Sequence, residues 1–158
     1  MQKITPFLWF DSNAEDAAKF YASVFPKSKI VTTTRYGAGG PGPAGSVMTV
    51  EFELGGQRFV GLNGGPRFKF SEAISFVVNV ETQAELDTLW DKLLQGGGRP
   101  DQCGWLKDRF GLSWQVVPTV LPKLLEDKDP EKSKRVMAAL MNMVKIDIRA
   151  LEDALAHA

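Results

Sequence analysis

The side chains able to do covalent or proton-transfer chemistry are few in this chain of 158 residues, which holds one cysteine and one histidine. A catalytic thiol needs a neighbouring base or the positive end of a helix. Lys107 lies four residues beyond Cys103 on one strand, hence on the same face but too far along to touch it, so Cys103 reads as a structural cysteine. His157 sits one residue from the C-terminus. Three polar residues, Asn63, Ser75 and Gln115, interrupt strands that are otherwise apolar. They either bond one another and the backbone, as buried polar groups must, or orient the carbonyl and hydroxyl groups of a ligand in an apolar pocket. Trp9, Trp105 and Trp114 fall on strands of the same kind, whereas Trp90 belongs to a helical stripe and reads as core. The candidate ligand-binding set is therefore Trp9, Asn63, Ser75, Trp105 and Gln115. No catalytic residue, metal ligand or cofactor is assigned, because no acid and base converge in the sequence.

Two glycine-rich runs invite a phosphate-binding reading. Gly37 to Gly45 (GAGGPGPAG) and LNGGP (Leu62 to Pro66) are each followed by a β-type segment rather than a helix, and Pro41 and Pro43 remove backbone donors. The first run reads as a mobile surface loop over the cavity.

The elements that position these residues are repeated. Ile4 to Phe25 and Ile74 to Gln95 are each an apolar run followed by an amphipathic stretch. Each has a hydroxyl residue three positions before a glutamate, Ser12 with Glu15 and Thr82 with Glu85. Both pairs have the capping-box spacing that starts a helix. Ala14, Ala17, Ala18, Tyr21 and Phe25 form the first helical stripe; Leu86, Leu89, Trp90 and Leu93 form the second. After the first helix, Ile30 to Tyr36 reads as a strand, and Val47 to Leu54 and Gln57 to Asn63 read as a hairpin closed by Gly55-Gly56. After the second, short strands are expected near Gly98 to Gln102, Cys103 to Asp108 and Leu112 to Pro118. Each copy thus reads strand–helix–strand–strand–strand. Three helices follow Pro118, with Pro130 in a first-turn position and Val136, Leu140 and Met143 as an apolar stripe that needs a partner, in its own core or in another chain. Met137, Met141 and Met143 read as interface or core filling.

Composition bounds the rest. Apolar residues make up 44% and charged residues 24%, with Lys+Arg and Asp+Glu equal at 19 each, so no net field favours nucleic acid or an anionic membrane. No basic patch interleaves with aromatics, no apolar run is long enough to span a bilayer, and the N-terminus lacks a signal-peptide pattern. The expectation is a soluble cytoplasmic protein with no nucleic-acid or membrane partner.

KFYASVF (Lys19 to Phe25) and DRFGLSWQVVP (Asp108 to Pro118), in tandem strand–helix–strand–strand–strand copies, resemble the vicinal oxygen chelate superfamily of glyoxalases, dioxygenases and bleomycin-resistance proteins. ITPFLWFD, LNGGP, CGWLKDRFGLSWQVVP and the KIDIRALE tail resemble its PhnB-like subgroup, often labelled 3-demethylubiquinone-9 3-methyltransferase. The resemblance implies an α+β fold in which two tandem βαβββ modules form a curved open sheet around a cavity (residues 1–118), plus a helical C-terminal extension (119–158). It also implies a homodimer. The superfamily's metal-ligand positions carry over to Pro6 or Thr5, Gly61, Ala73 or Ser75, and Gln115, none of which is an imidazole or carboxylate. The methyltransferase label would require a donor site for S-adenosylmethionine. The first strand-to-helix turn, Asp11-Ser12-Asn13, has no glycine to form one of the usual kind. The reading that results is an unidentified small organic molecule bound between the modules without a metal. The alternatives are an enzyme acting on a carbonyl or quinone-like substrate, and a dimeric interaction or regulatory protein.

Overall fold

The computed structural model describes residues 2–157 and divides into two compact units, Met1–Phe70 and Ser71–Ala158. The first unit contains β1 (Phe7–Phe10), α1 (Ala14–Val24), β2 (Lys29–Arg35), β3 (Val47–Leu54) and β4 (Gln57–Asn63). Its sheet runs β1-β4-β3-β2, with β1 parallel to β4 and the other pairs antiparallel. The alternation expected in the hairpin holds. Val50, Phe52, Leu54 and Phe59 are buried, and Phe52 stacks on Phe59 and lies beside Tyr21 of α1. Gly55 and Gly56 both take positive φ, 55° and 90°, as a two-residue turn of this hand requires. Gly61 faces α1: a Cβ placed there would lie 3.3 Å from both the Ala14 Cβ and the Phe10 ring. The helix can therefore approach the sheet closely. On α1 the buried stripe is Ala14, Ala17, Ala18, Phe20, Tyr21 and Val24, while Phe25 is the extended C-cap residue before Pro26.

The second unit repeats the plan with β5 (Ser75–Val80), α2 (Gln83–Leu94), β6 (Arg99–Pro100), β7 (Trp105–Lys107) and β8 (Ser113–Pro118), in the order β5-β8-β7-β6. Here too the first strand lies parallel to the last. Both sheets are open, with four strands each, so the expected α+β duplication of βαβββ modules is present.

The two helix starts differ. At α2 the capping box forms: Thr82 Oγ1 accepts the Glu85 N–H at 3.2 Å, and Glu85 Oε1 accepts the Glu81 N–H at 3.1 Å. At α1 the expected Ser12–Glu15 box does not. The N-cap residue is Asn13, one position later than expected, and its side chain makes no cap bond. The first helical N–H, that of Ala14, instead goes to Asn63 Oδ1 at the end of β4.

Asp108 organises the β7–β8 turn. It is buried, and its carboxylate accepts the N–H groups of Phe110 and Leu112 and the indole N–H of Trp114, at 2.8, 3.1 and 2.8 Å. Such a group is kept buried by its bonds rather than by solvation. The tail forms α3 (Val120–Leu125), α4 (Pro130–Met141) and α5 (Ile148–Ala156) and packs within the second unit. Val136, Leu140, Ile146 and Leu151 are buried there, and Met143 is half-buried. The stripe thus finds its partner in its own unit. Residues 143–144 dock backbone to backbone, the Met143 and Val144 carbonyls each accepting an N–H at 2.8 Å, from Cys103 and Gly104. Gly104 has φ 86°, and a Cβ on it would meet the Ile146 side chain at 2.6 Å, so glycine is required twice over.

Candidate functional site

A cavity of about 770 Å³ opens in the first unit, where β1 and β4 end and the β2–β3 loop folds back. Three local features build it. The parallel pairing of β1 with β4 continues past the strands, since Gly64 and Gly65 donate to the carbonyls of Phe10 and Asp11 at 2.9 and 3.0 Å. That turn holds Trp9. Its indole N–H donates to the Gly65 carbonyl at 2.8 Å, Phe68 meets it edge-on with centroids 4.9 Å apart, and Gly64 lies against the ring. A Cβ on Gly64 would fall 2.4 Å from the indole, so only glycine permits this packing.

Tyr36 forms the second wall. Its hydroxyl donates to the Asn63 carbonyl, and its backbone closes the glycine-rich loop through N–H bonds to Ser46 O and from Gly45. Gly42 rests on the Tyr36 ring, where a Cβ would be 2.4 Å away. Pro41, Gly42 and Pro43 therefore line the cavity, together with Val47, Met48 and Leu62. The rim is the β1–α1 turn and the first turn of α1, which contribute Asp11, Ser12, Asn13, Glu15 and Asp16.

The five sequence-derived candidates fall in both units. Trp9 and Asn63 line this cavity. Asn63 is committed on both sides of its amide: Oδ1 accepts from Ala14 at 2.8 Å and Nδ2 donates to the Val47 carbonyl at 3.1 Å. Ser75, Trp105 and Gln115 belong to the second unit, where Gln115 Nε2 donates to Ser75 Oγ at 2.8 Å and the strand register sets Trp105 opposite Gln115. Beside them Ser113 Oγ, fully buried, has no hydrogen-bond partner among the described residues. Trp90 and Trp114 are buried.

Sequence reasoning passed over Tyr36 and the carboxylates. The lone tyrosine entering a glycine-rich loop was the available signal for the first; nothing local marks Asp11, because its place on the rim follows from the fold. Cys103 lies in the turn before β7, not on one strand with Lys107 as expected; it adopts a left-handed φ of 59° and sits 3.9 Å from Met141 Sδ. Lys107 pairs with Glu72, a bond that holds the Glu72 carboxyl below its usual range.

The superfamily's metal positions can be tested residue by residue. The strand registers pair Phe7 with Val60 and Val77 with Gln115, and residues 7 and 77 are separated by the same repeat as the two capping pairs. The counterpart of Gln115 is therefore Val60, not Gly61, which faces the helix. By the same repeat Thr5 matches Ser75. A valine, two hydroxyls and an amide do not fit a divalent ion, which needs imidazole, carboxylate or thiolate ligands. Among the described residues no group of three or more His, Cys, Asp or Glu could hold one. No helix among them is long and apolar enough to cross a membrane.

Tandem βαβββ modules, each with its first strand parallel to its last, define a glyoxalase-like class of fold. A family model described as 3-demethylubiquinone-9 3-methyltransferase matches residues 2–117, and the chain belongs to that family. The tail from residue 118 lies outside the match. The PhnB protein of Bacillus cereus is similar at 39% identity, with a TM-score of 0.68 over 75% of this chain and 100% of its own. A Pseudomonas aeruginosa protein shares the fold at 22% identity and a TM-score of 0.61, covering 75% of this chain and 98% of its own. The fosfomycin resistance protein FosX of Mesorhizobium loti shares it at 13% identity and a TM-score of 0.51, covering 73% and 91%. No curated protein matches the chain.

Proposed function

We propose that this protein binds a small organic molecule in the cavity of its first unit and does so without a metal ion. The observation that carries this reading is the pair of aromatic walls. Trp9 and Tyr36 each have their polar end tied to a backbone carbonyl, leaving ring carbon to face a ligand. A cavity of this size, with apolar walls and a few polar groups, is what small-molecule sites look like. The family description names a methyltransferase, but methyl donors of the S-adenosylmethionine type are usually held by a parallel doubly wound sheet. Each sheet here is mixed, with one parallel pair.

A second reading, an enzyme acting on a carbonyl or quinone-like compound, is favoured by the family description. The Ser75–Gln115 pair and the orphan Ser113 hydroxyl would then be the polar groups to examine for a substrate oxygen. The proposal includes a homodimer, supported by the open sheets: β2 is an edge strand exposed along most of its length, and proteins rarely leave such edges bare. Its place is the cytoplasm, consistent with a lone unpaired cysteine.

Native mass spectrometry of protein purified from its own host tests the reading. A small-molecule adduct is expected, and it should disappear in a Leu62→Trp variant that fills the cavity. An adduct that survives this substitution in folded protein would move the site elsewhere.

A further inference from the structure

The cavity has a one-sided charge. Asp11, Glu15 and Asp16 are on its rim, and its lining contains no lysine, arginine or histidine, although the chain as a whole is neutral. Among the described residues, only Glu15 of the three carboxylates has a cationic neighbour, Lys19 at 3.7 Å, which is itself outside the lining. We infer that the ligand is an organic cation, an ammonium or similar group carried on an apolar body, with its charge at the rim and its body between Trp9 and Tyr36. This rests on the cavity reading above and narrows it.

Two further features point the same way. A helix N-terminus on a cavity ordinarily favours an anion, through its free N–H groups and dipole. Here the first N–H of α1 is taken by Asn63 Oδ1, and acidic residues fill the first turn. An arriving anion would meet carboxylates beside the remaining donors. The aromatic walls add in the opposite sense. With both polar ends engaged, the rings offer the cavity no N–H or O–H donor, and it is their π faces, where Gly64 and Gly42 leave them open, that attract cations. The exposed position of the rim means that the charge selects the ligand more than it strengthens binding, and that the selection is sensitive to salt.

Three probes of one shape and different charge test this by ligand-observed NMR: benzyltrimethylammonium, the neutral hydrocarbon neopentylbenzene, and benzylsulfonate. The ammonium should bind about tenfold tighter than the hydrocarbon, in line with a partly desolvated cation–π contact supported by nearby carboxylates. The sulfonate should bind most weakly. The margin should shrink at high salt and fall to near unity in Asp11→Asn/Glu15→Gln/Asp16→Asn, with Asp11→Asn alone giving a partial loss. Hydrocarbon binding as tight as the ammonium, or a margin unchanged in the triple variant, would overturn the cation assignment and leave the cavity reading standing. If none of the three binds and a broad fragment set finds no cavity ligand either, both readings fall.

Discussion

Asn63 Oδ1 accepts the N–H of Ala14 at 2.8 Å, so the first helix is capped by a side chain 49 residues further along the chain. The same amide donates to the Val47 carbonyl, and the Asn63 carbonyl accepts the Tyr36 hydroxyl. One residue thereby joins β4, the start of α1, the start of β3 and the aromatic wall of the cavity.

Replacing Asn63 with Ala leaves a helical N–H and a strand carbonyl without their partners, and should cost about 1–3 kcal/mol in urea-monitored stability. Asn63→Asp keeps the acceptor for Ala14 but sets an oxygen against the Val47 carbonyl, so it should recover only part of the loss. An unchanged stability in the alanine variant would show that water replaces both bonds.

Gly64→Ala would place a methyl against the Trp9 indole, where 2.4 Å is available. Either Trp9 shifts or the turn opens, at a cost of about 1–3 kcal/mol typical of overpacking. The near-UV circular dichroism should change, and binding of a cavity ligand should weaken. A variant with wild-type spectrum and affinity would show that the Trp9 wall does not shape the cavity.

Gln83 holds the tail to α2. Its Nε2 donates to Asp87 Oδ1 and to the Ile146 carbonyl, at 2.9 and 3.0 Å, and its Oε1 accepts the Ile148 N–H at 2.9 Å. Gln83→Ala should raise amide exchange in α5 more than in α2, because the tail loses its polar clamp while α2 keeps its buried face. Equal exchange in both helices would overturn this role.

Asp87 contributes to the pH dependence of stability. Its hydrogen bond from Gln83, together with one from Lys145 at 3.0 Å, holds its carboxyl below the ordinary 3.8. A carboxyl lowered by folding adds stability that is fully present above its unfolded value and is lost as the pH falls through the folded one. The stability gap between wild type and Asp87→Asn should therefore be constant near neutrality and close in strong acid. A gap that widens on acidification would reverse the sign and reject the assignment.

The purified, tag-free protein should carry no stoichiometric divalent metal, since the positions matching Gln115 offer no ionisable ligand. Elemental analysis decides the point. About one equivalent of zinc, nickel, iron or manganese, lost on Gln115→Ala, would reject this reading of the site.

The sequence alone determined the order of the secondary-structure elements and their duplication, because these rest on local rules. Val47–Leu54 and Gln57–Asn63 follow from strict alternation around Gly55-Gly56, and α2 follows from a Thr82–Glu85 box that closes within one turn. The Ser12–Glu15 box had the same spacing but lost to a cap from β4, a competitor that local reasoning cannot see. Register is also long-range: the parallel pairing of Phe7 with Val60 sets Gly61 toward the helix, and a shift of one residue along a strand reverses its face. The cavity is tertiary for the same reason. Trp9, Tyr36, Gly42 and the rim carboxylates are drawn from separate segments, and only the closing of β1 onto β4 and the folding back of the glycine-rich loop bring them to one place.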